Sequence, residues 1–219
     1  MSARGYLILS VLVCAAIYAA GCGGSPGSGS QAATVTISAQ SLSPFKTQIR
    51  VGDTVTWVNN DTQSHFVISG TLQMVPVSQR QTRKIFIEQN NSFVPPSLDA
   101  NFGDTIEWQN NRTTPYALNI VDQFGTLVTT LAFAQGQVIP VNSFQFAGIY
   151  LYEQADITSI FGTLRLSGVA NPDNQFQSQL LLTGAFFQRQ FSAAGTFNYF
   201  ITSPLNPNTS FLSGTVVVQ

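Results

Sequence analysis

From about Gln31 onward the chain alternates. Hydrophobic and polar positions change places every residue, in short runs rich in Val, Ile, Thr, Phe and Tyr, and Gly, Pro, Asn and Asp interrupt the runs. A strand turns successive side chains to opposite faces, so this period of two predicts half-buried strands, and helical spacing is almost absent. Many short strands with turn residues between them predict an all-β sandwich or barrel. The clearest strand is Thr54-Val55-Thr56-Trp57. Val55 and Trp57 share one face and belong in the core, while Thr54 and Thr56 face outward. A Gly52-Asp53 turn precedes this strand, and Asn59-Asn60 ends it.

The pattern repeats. Gly52-Asp53-Thr54-Val55-Thr56-Trp57-Val58-Asn59-Asn60 returns 51 positions later as Gly103-Asp104-Thr105-Ile106-Glu107-Trp108-Gln109-Asn110-Asn111, and Pro44 returns as Pro95. A second repeat relates Phe146-Ala147-Gly148-Ile149-Tyr150-Leu151-Tyr152 to Ala193-Ala194-Gly195-Thr196-Phe197-Asn198-Tyr199. Closing strands follow each copy, Gly162-Thr163-Leu164-Arg165-Leu166 and Gly214-Thr215-Val216-Val217-Val218. Internal similarity of this kind marks duplicated structural units.

The first 30 residues differ. Arg4 precedes a short apolar stretch, Tyr6 to Ala20, which ends in Ala19-Ala20-Gly21-Cys22. It falls short of the ~20 apolar residues of a membrane span and reads as an export signal. Small residues before a Cys resemble the lipobox of bacterial lipoproteins. That resemblance implies cleavage before Cys22 and lipidation of its thiol. Gly23 to Ser30, GGSPGSGS, then reads as a flexible tether. The expected organisation is a signal peptide over 1–21, a lipidated Cys and tether over 22–33, and folded structure beyond.

Composition agrees with export. Only 9% of the 219 residues are charged, the net charge is -1, and 44% are hydrophobic. A mean hydropathy of +0.14 supplies a core. There is no basic field to attract nucleic acid. Cysteine use is more restrictive. Of the two cysteines, Cys14 falls in the part removed and Cys22 is the one acylated. The folded region is left without a thiol, hence without a disulfide, a zinc–thiolate site or a Cys nucleophile.

The repeated residues resemble the cupredoxin family, the plastocyanin-like copper proteins. Gly-Asp-Thr-Val-Thr-Trp-Val-Asn-Asn with His65 matches the family's first half, and the Gly-x-Tyr-x-Tyr and Gly-Thr-x-x-x segments match its second. The resemblance covers about residues 34–219. The halves run first, first, second, second, which implies nesting rather than a plain tandem. Two cupredoxin-like Greek-key β-sandwiches are expected, the second inserted into the first: 84–168 inside an outer unit of 34–79 plus 169–219. Crosswise pairing of the halves is the alternative, and short un-knotted connections favour nesting.

The family's metal chemistry does not carry over with the fold. A type 1 copper site needs two imidazoles and a thiolate, with a weak axial thioether. The chain has one His, His65, and its two methionines are Met1 and Met74. Matched to the resemblance, Tyr116, Gln154, Ile157 and Ile160 stand at the inserted unit's ligand positions. In the outer unit His65 keeps the first position, Ile201 takes the thiolate position, and the second imidazole position falls near Pro204. Apolar residues there imply a packed space. His65 reads as a vestigial position, and metal at His65 with Asp61 or Met74 is the sharper, weaker reading.

Other candidates have plain readings. Arg80, Arg83 and Lys84 form the one basic cluster and read as a solvated linker between the units. Asp53 and Asp104 read as turn carboxylates. Met74 reads as core or loop filler. Phe186 and Phe187 must face opposite sides of a strand, so one of them is free to mark a contact surface. Uncharged strand edges allow β-augmentation. Hydroxyls are plentiful, but a hydroxyl nucleophile needs a base, and no phosphate-binding loop is present. The sequence therefore predicts a non-enzymatic, cofactor-free binding or structural module, anchored in the cell envelope by lipid at Cys22. Its expected partners are the membrane and another envelope protein or surface component. The alternatives are copper binding with electron transfer, and an envelope hydrolase.

Overall fold

The computed structural model describes residues 32–39, 41–155 and 157–219. The expected signal peptide, the expected lipidation site Cys22 and most of the expected tether lie outside the described residues. Strands follow one another almost without interruption. The first five are β1 (Ala32–Ser38), β2 (Ser41–Ser43), β3 (Lys46–Ile49), β4 (Thr54–Asn59) and β5 (Phe66–Gln73). After a single 3-10 turn at Val77–Gln79 come β6 (Thr82–Ile87), β7 (Phe93–Val94), β8 (Ser97–Asn101), β9 (Thr105–Asn110), β10 (Tyr116–Asp122) and β11 (Leu127–Phe133). Then follow β12 (Val138–Val141), β13 (Gly148–Gln154) and the long β14 (Ile157–Gln177). The chain closes with β15 (Phe186–Gln190), β16 (Gly195–Thr202), β17 (Thr209–Ser210) and β18 (Leu212–Val218).

The strands make two sandwiches of one topology. In the first, the sheet β15-β4-β1-β2 faces the end of β14 with β5, β16, β18 and β3. In the second, β12-β9-β6-β7 faces β11, β10, β13, the start of β14 and β8. The pairings correspond strand for strand. β1 runs parallel to β4 as β6 does to β9, and β18 runs parallel to β3 as β14 does to β8. Strands of 32–73 thus pair with strands of 168–218, while strands of 82–168 pair among themselves. This is the pairing that a nested order of halves requires. β1 starts at Ala32 because Ala32 pairs with Thr54, and β6 starts at Thr82 because Thr82 pairs with Thr105.

Each sandwich closes on its own core. Trp57 is fully buried in a core with Val35, Val55, Phe176, Tyr199 and Val216, and Trp108 is fully buried in a core with Ile85, Ile106, Tyr150, Tyr152 and Leu164. Tyr199 meets Trp57 edge-on at 5.2 Å, and Tyr152 meets Trp108 edge-on at 6.1 Å. Edge-to-face rings are favoured by the quadrupole of each π system. Tyr152 pairs across strands with Gly162, and Tyr199 with Gly214. A Cβ at Gly162 would come 2.2 Å from the Tyr152 ring, and one at Gly214 would come 2.4 Å from the Tyr199 hydroxyl. The tyrosines lie over bare backbone, which is why both strands carry Gly opposite them.

The two facing sheets are continuous, because β14 ends the second sandwich and edges the first in one ten-stranded sheet. At the crossing Gly70 has φ +131, and a Cβ there would stand 2.3 Å from the Asn171 carbonyl oxygen. The β14 register jumps between Pro172 and Gln177 opposite β5. The residues of that bulge deliver Phe176 into the first core, 5.6 Å from Trp57. Gln123 Nε2 donates to the Ser213 carbonyl at 3.3 Å, and Ser213 Oγ donates to the Ala147 carbonyl at 3.3 Å. Phe45 meets Phe124 at 5.9 Å across the same junction.

Candidate functional site

Asn59 ends β4 and is fully buried. A buried carboxamide must use its donors and acceptor. Its Nδ2 donates to the carbonyls of Gln63 (2.8 Å) and Leu181 (2.9 Å), and its Oδ1 accepts from the Asp61 N–H at 3.0 Å. These bonds fold residues 60–65 back so that Asp61 reaches His65. His65 Nε2 lies 2.7 Å from Asp61 Oδ2, and both residues are only 6% exposed. Burial alone pushes the Asp61 carboxyl up. The hydrogen bond with His65, together with those at Gln63 and Thr62, outweighs burial and holds the group below its ordinary range. The backbone of His65 bridges Leu181, its N–H donating at 3.0 Å and its carbonyl accepting at 2.8 Å. His65 is therefore hydrogen-bonded and buried.

Around it the donor set is poor. Ile201, expected at the thiolate position, is 2% exposed and belongs to the first core. His65, Ile201, Thr202, Ser203, Asn206 and Ser210 border a cleft of about 320 Å³. His65 Nδ1 and Thr202 Oγ1 have no hydrogen-bond partner. Among the described residues no group of three or more His, Cys, Asp or Glu could hold a metal ion.

The second sandwich builds the same loop for a different pair. Asn110 ends β9, its Nδ2 donates to Thr114 (2.9 Å) and Ala134 (3.1 Å), and its Oδ1 accepts from the Arg112 N–H at 3.1 Å. Arg112 stands 51 positions after Asp61, and Tyr116 stands 51 after His65. The Arg112 guanidinium lies over the Tyr116 ring, 5.1 Å from its centroid. A cation–π contact stands where the first sandwich has an acid–imidazole hydrogen bond. Burial pushes the Tyr116 hydroxyl up to about 12, against the opposing pull of Arg112. Gln154 holds the place of Ile201 and is half-buried. Ile160 packs against the second core. Ile157 does not follow the expectation of a packed space, because it is 42% exposed. The β13–β14 register shift pairs it with Gln154 at the end of the hairpin, where its side chain meets solvent.

The solvated-linker expectation holds for Arg80, which is exposed between β5 and β6, and fails for Arg83 and Lys84. Arg83 lies 3.7 Å from Asp104, Lys84 lies 3.3 Å from Glu107, and both sit in β6. Arg80 Nε donates to the Val75 carbonyl at 3.2 Å. Met74 is 42% exposed in the loop after β5, so the loop reading holds rather than the core one, and its sulfur faces the Arg80 guanidinium. The turn reading of the aspartates holds. Asp104 accepts from the N–H groups of Gln81 (2.8 Å) and Asn101 (2.9 Å), and Asp53 accepts from that of Arg50 at 2.9 Å. Of the ligand positions, the structure brings His65 and Ile201 to one cleft. Sequence reasoning missed Asn59 and Asn110 as organisers. Their recurrence at the end of the Trp strand was the available signal.

No family model and no curated protein matches the chain. Among solved structures, a reduced amicyanin variant is similar at 16% identity, with 46% of this chain and 97% of that chain covered and a TM-score of 0.35. An oxidised amicyanin variant is similar at 19% identity, covering 44% and 91% with a TM-score of 0.34.

Proposed function

We propose that this protein is a lipid-anchored module of the cell envelope whose cupredoxin-like sandwiches work by surface contact, without a metal and without catalysis. One observation supports the reading: the two equivalent corners are filled by different pairs in contact with each other, His65 hydrogen-bonded to Asp61 and Tyr116 under the Arg112 guanidinium. A fold does not bring its function with it. A corner serving one metal chemistry would keep one donor set, and these corners keep only the loop that shapes them. The partner is another envelope protein or surface component.

The test has two parts. Protein loaded with excess copper should show no stoichiometric tight binding and no intense thiolate-to-metal absorption band. Tight binding with such a band would reinstate electron transfer. In cells supplied with radiolabelled palmitate, label should enter the wild-type chain and be lost on Cys22→Ala. A labelled Cys22→Ala chain would remove the anchor from the reading.

A further inference from the structure

The strand edges of the two sandwiches are not equally guarded. An unpaired edge invites another strand, and proteins blunt edges with short strands, proline, charge or bulges. β2 and β7 span three and two residues. β3 opens with Lys46, and β8 carries Asp99, ion-paired with Arg165 at 2.9 Å. The β10–β11 register is broken by a shift after Ile120. β12 carries Pro140, paired with Glu107. At the equivalent place in the first sandwich, β15 has Gln188, paired with Thr56. β15 has neither proline nor a bulge, and among the described residues it pairs with β4 alone.

The backbone of β15 is oriented for a partner. The Ala185 carbonyl accepts from Asn59, and Phe191 bonds to Gly52 and Asp53 through both its groups. In an antiparallel ladder such residues alternate, so the odd positions turn inward. Phe186, Gln188 and Gln190 then turn their N–H and C=O groups to the open side. Their side chains are exposed, Phe186 at 61%. The strand's one charge, Arg189, sits over the Phe176 and Phe191 rings at 5.2 and 5.8 Å.

We propose that β15 is a dimerisation edge whose occupant is β15 of a second copy, antiparallel about a two-fold axis at Gln188. The three outward residues are symmetric about Gln188, so two copies satisfy six N–H···O=C bonds. Phe186 of one copy meets Gln190 of the other, and the two Gln188 residues meet each other. No like charges are opposed, so the edge is its own complement, as a closed two-fold interface requires. The inference does not depend on how the chain is anchored.

Sedimentation of the full-length protein in detergent tests it. The wild type should sediment as a dimer at micromolar concentration. Gln188→Pro removes an N–H that faces outward and copies what Pro140 does at the sister edge. It should keep the fold and weaken the dimer by about tenfold or more, through the loss of the central bonds. Gln188→Lys, which sets two ammonium groups face to face on an exposed surface, should do the same should the proline variant misfold. A monomeric wild type, a folded Gln188→Lys protein that remains as dimeric as wild type, or capture of a different chain along β15 by a monomeric wild type would each overturn the proposal.

Discussion

At the scale of single residues, the buried pairs carry consequences that a pH titration can read. The Asp61 carboxyl is held below its ordinary value, so it favours the folded state above about pH 4 and loses that contribution as pH falls through its folded value. Asp61→Asn should cost on the order of 2 kcal/mol at pH 7. It should also flatten the acid limb of stability, measured as melting temperature from pH 6 down to pH 2. An unchanged acid limb would show that the pair is not coupled to folding. Tyr152 and Tyr199 act at the other end. Burial pushes both hydroxyls up, so the unfolded chain ionises first and stability should fall as pH rises above about 10.

At the scale of elements, the tyrosine–glycine crossings are the parts most open to test. Gly214→Ala should destabilise by about 1–3 kcal/mol through overpacking, since its Cβ would meet the Tyr199 hydroxyl at 2.4 Å. Combined with Tyr199→Ala, the two costs should add to less than their sum in a denaturant-based double-mutant cycle. Trp57→Ala should cost about 3–5 kcal/mol, a fully buried ring traded for a cavity. The strand around Trp57 was readable in advance because its alternation and its flanking turn agree and recur. Three things were not. The basic residues at 83 and 84 have partners 21 and 23 positions away, set by the β6–β9 pairing rather than by local pattern. Ile157 is exposed through a register shift that no periodicity announces. The Asn59 carboxamide looks like a strand breaker until the loop it ties is seen.

At the scale of the molecule, β14 prevents the sandwiches from behaving as independent beads. One strand ends the second core and edges the first, and Gln123, Ser213 and Phe124 stitch the junction. Calorimetry should therefore show one transition, with matching calorimetric and van't Hoff enthalpies. Two resolved peaks would mean that the junction is weaker than the packing implies.

The parallel pairing of β1 with β4 bears on how the chain meets force. Its six residue pairs run from Ala32↔Thr54 to Ile37↔Asn59, and Ala32 is where the described fold begins. A pull on Ala32 along the strand loads all six rungs in shear at once, instead of peeling them open one after another. Under the proposed anchor, drag would then load the first sheet in shear rather than peel it.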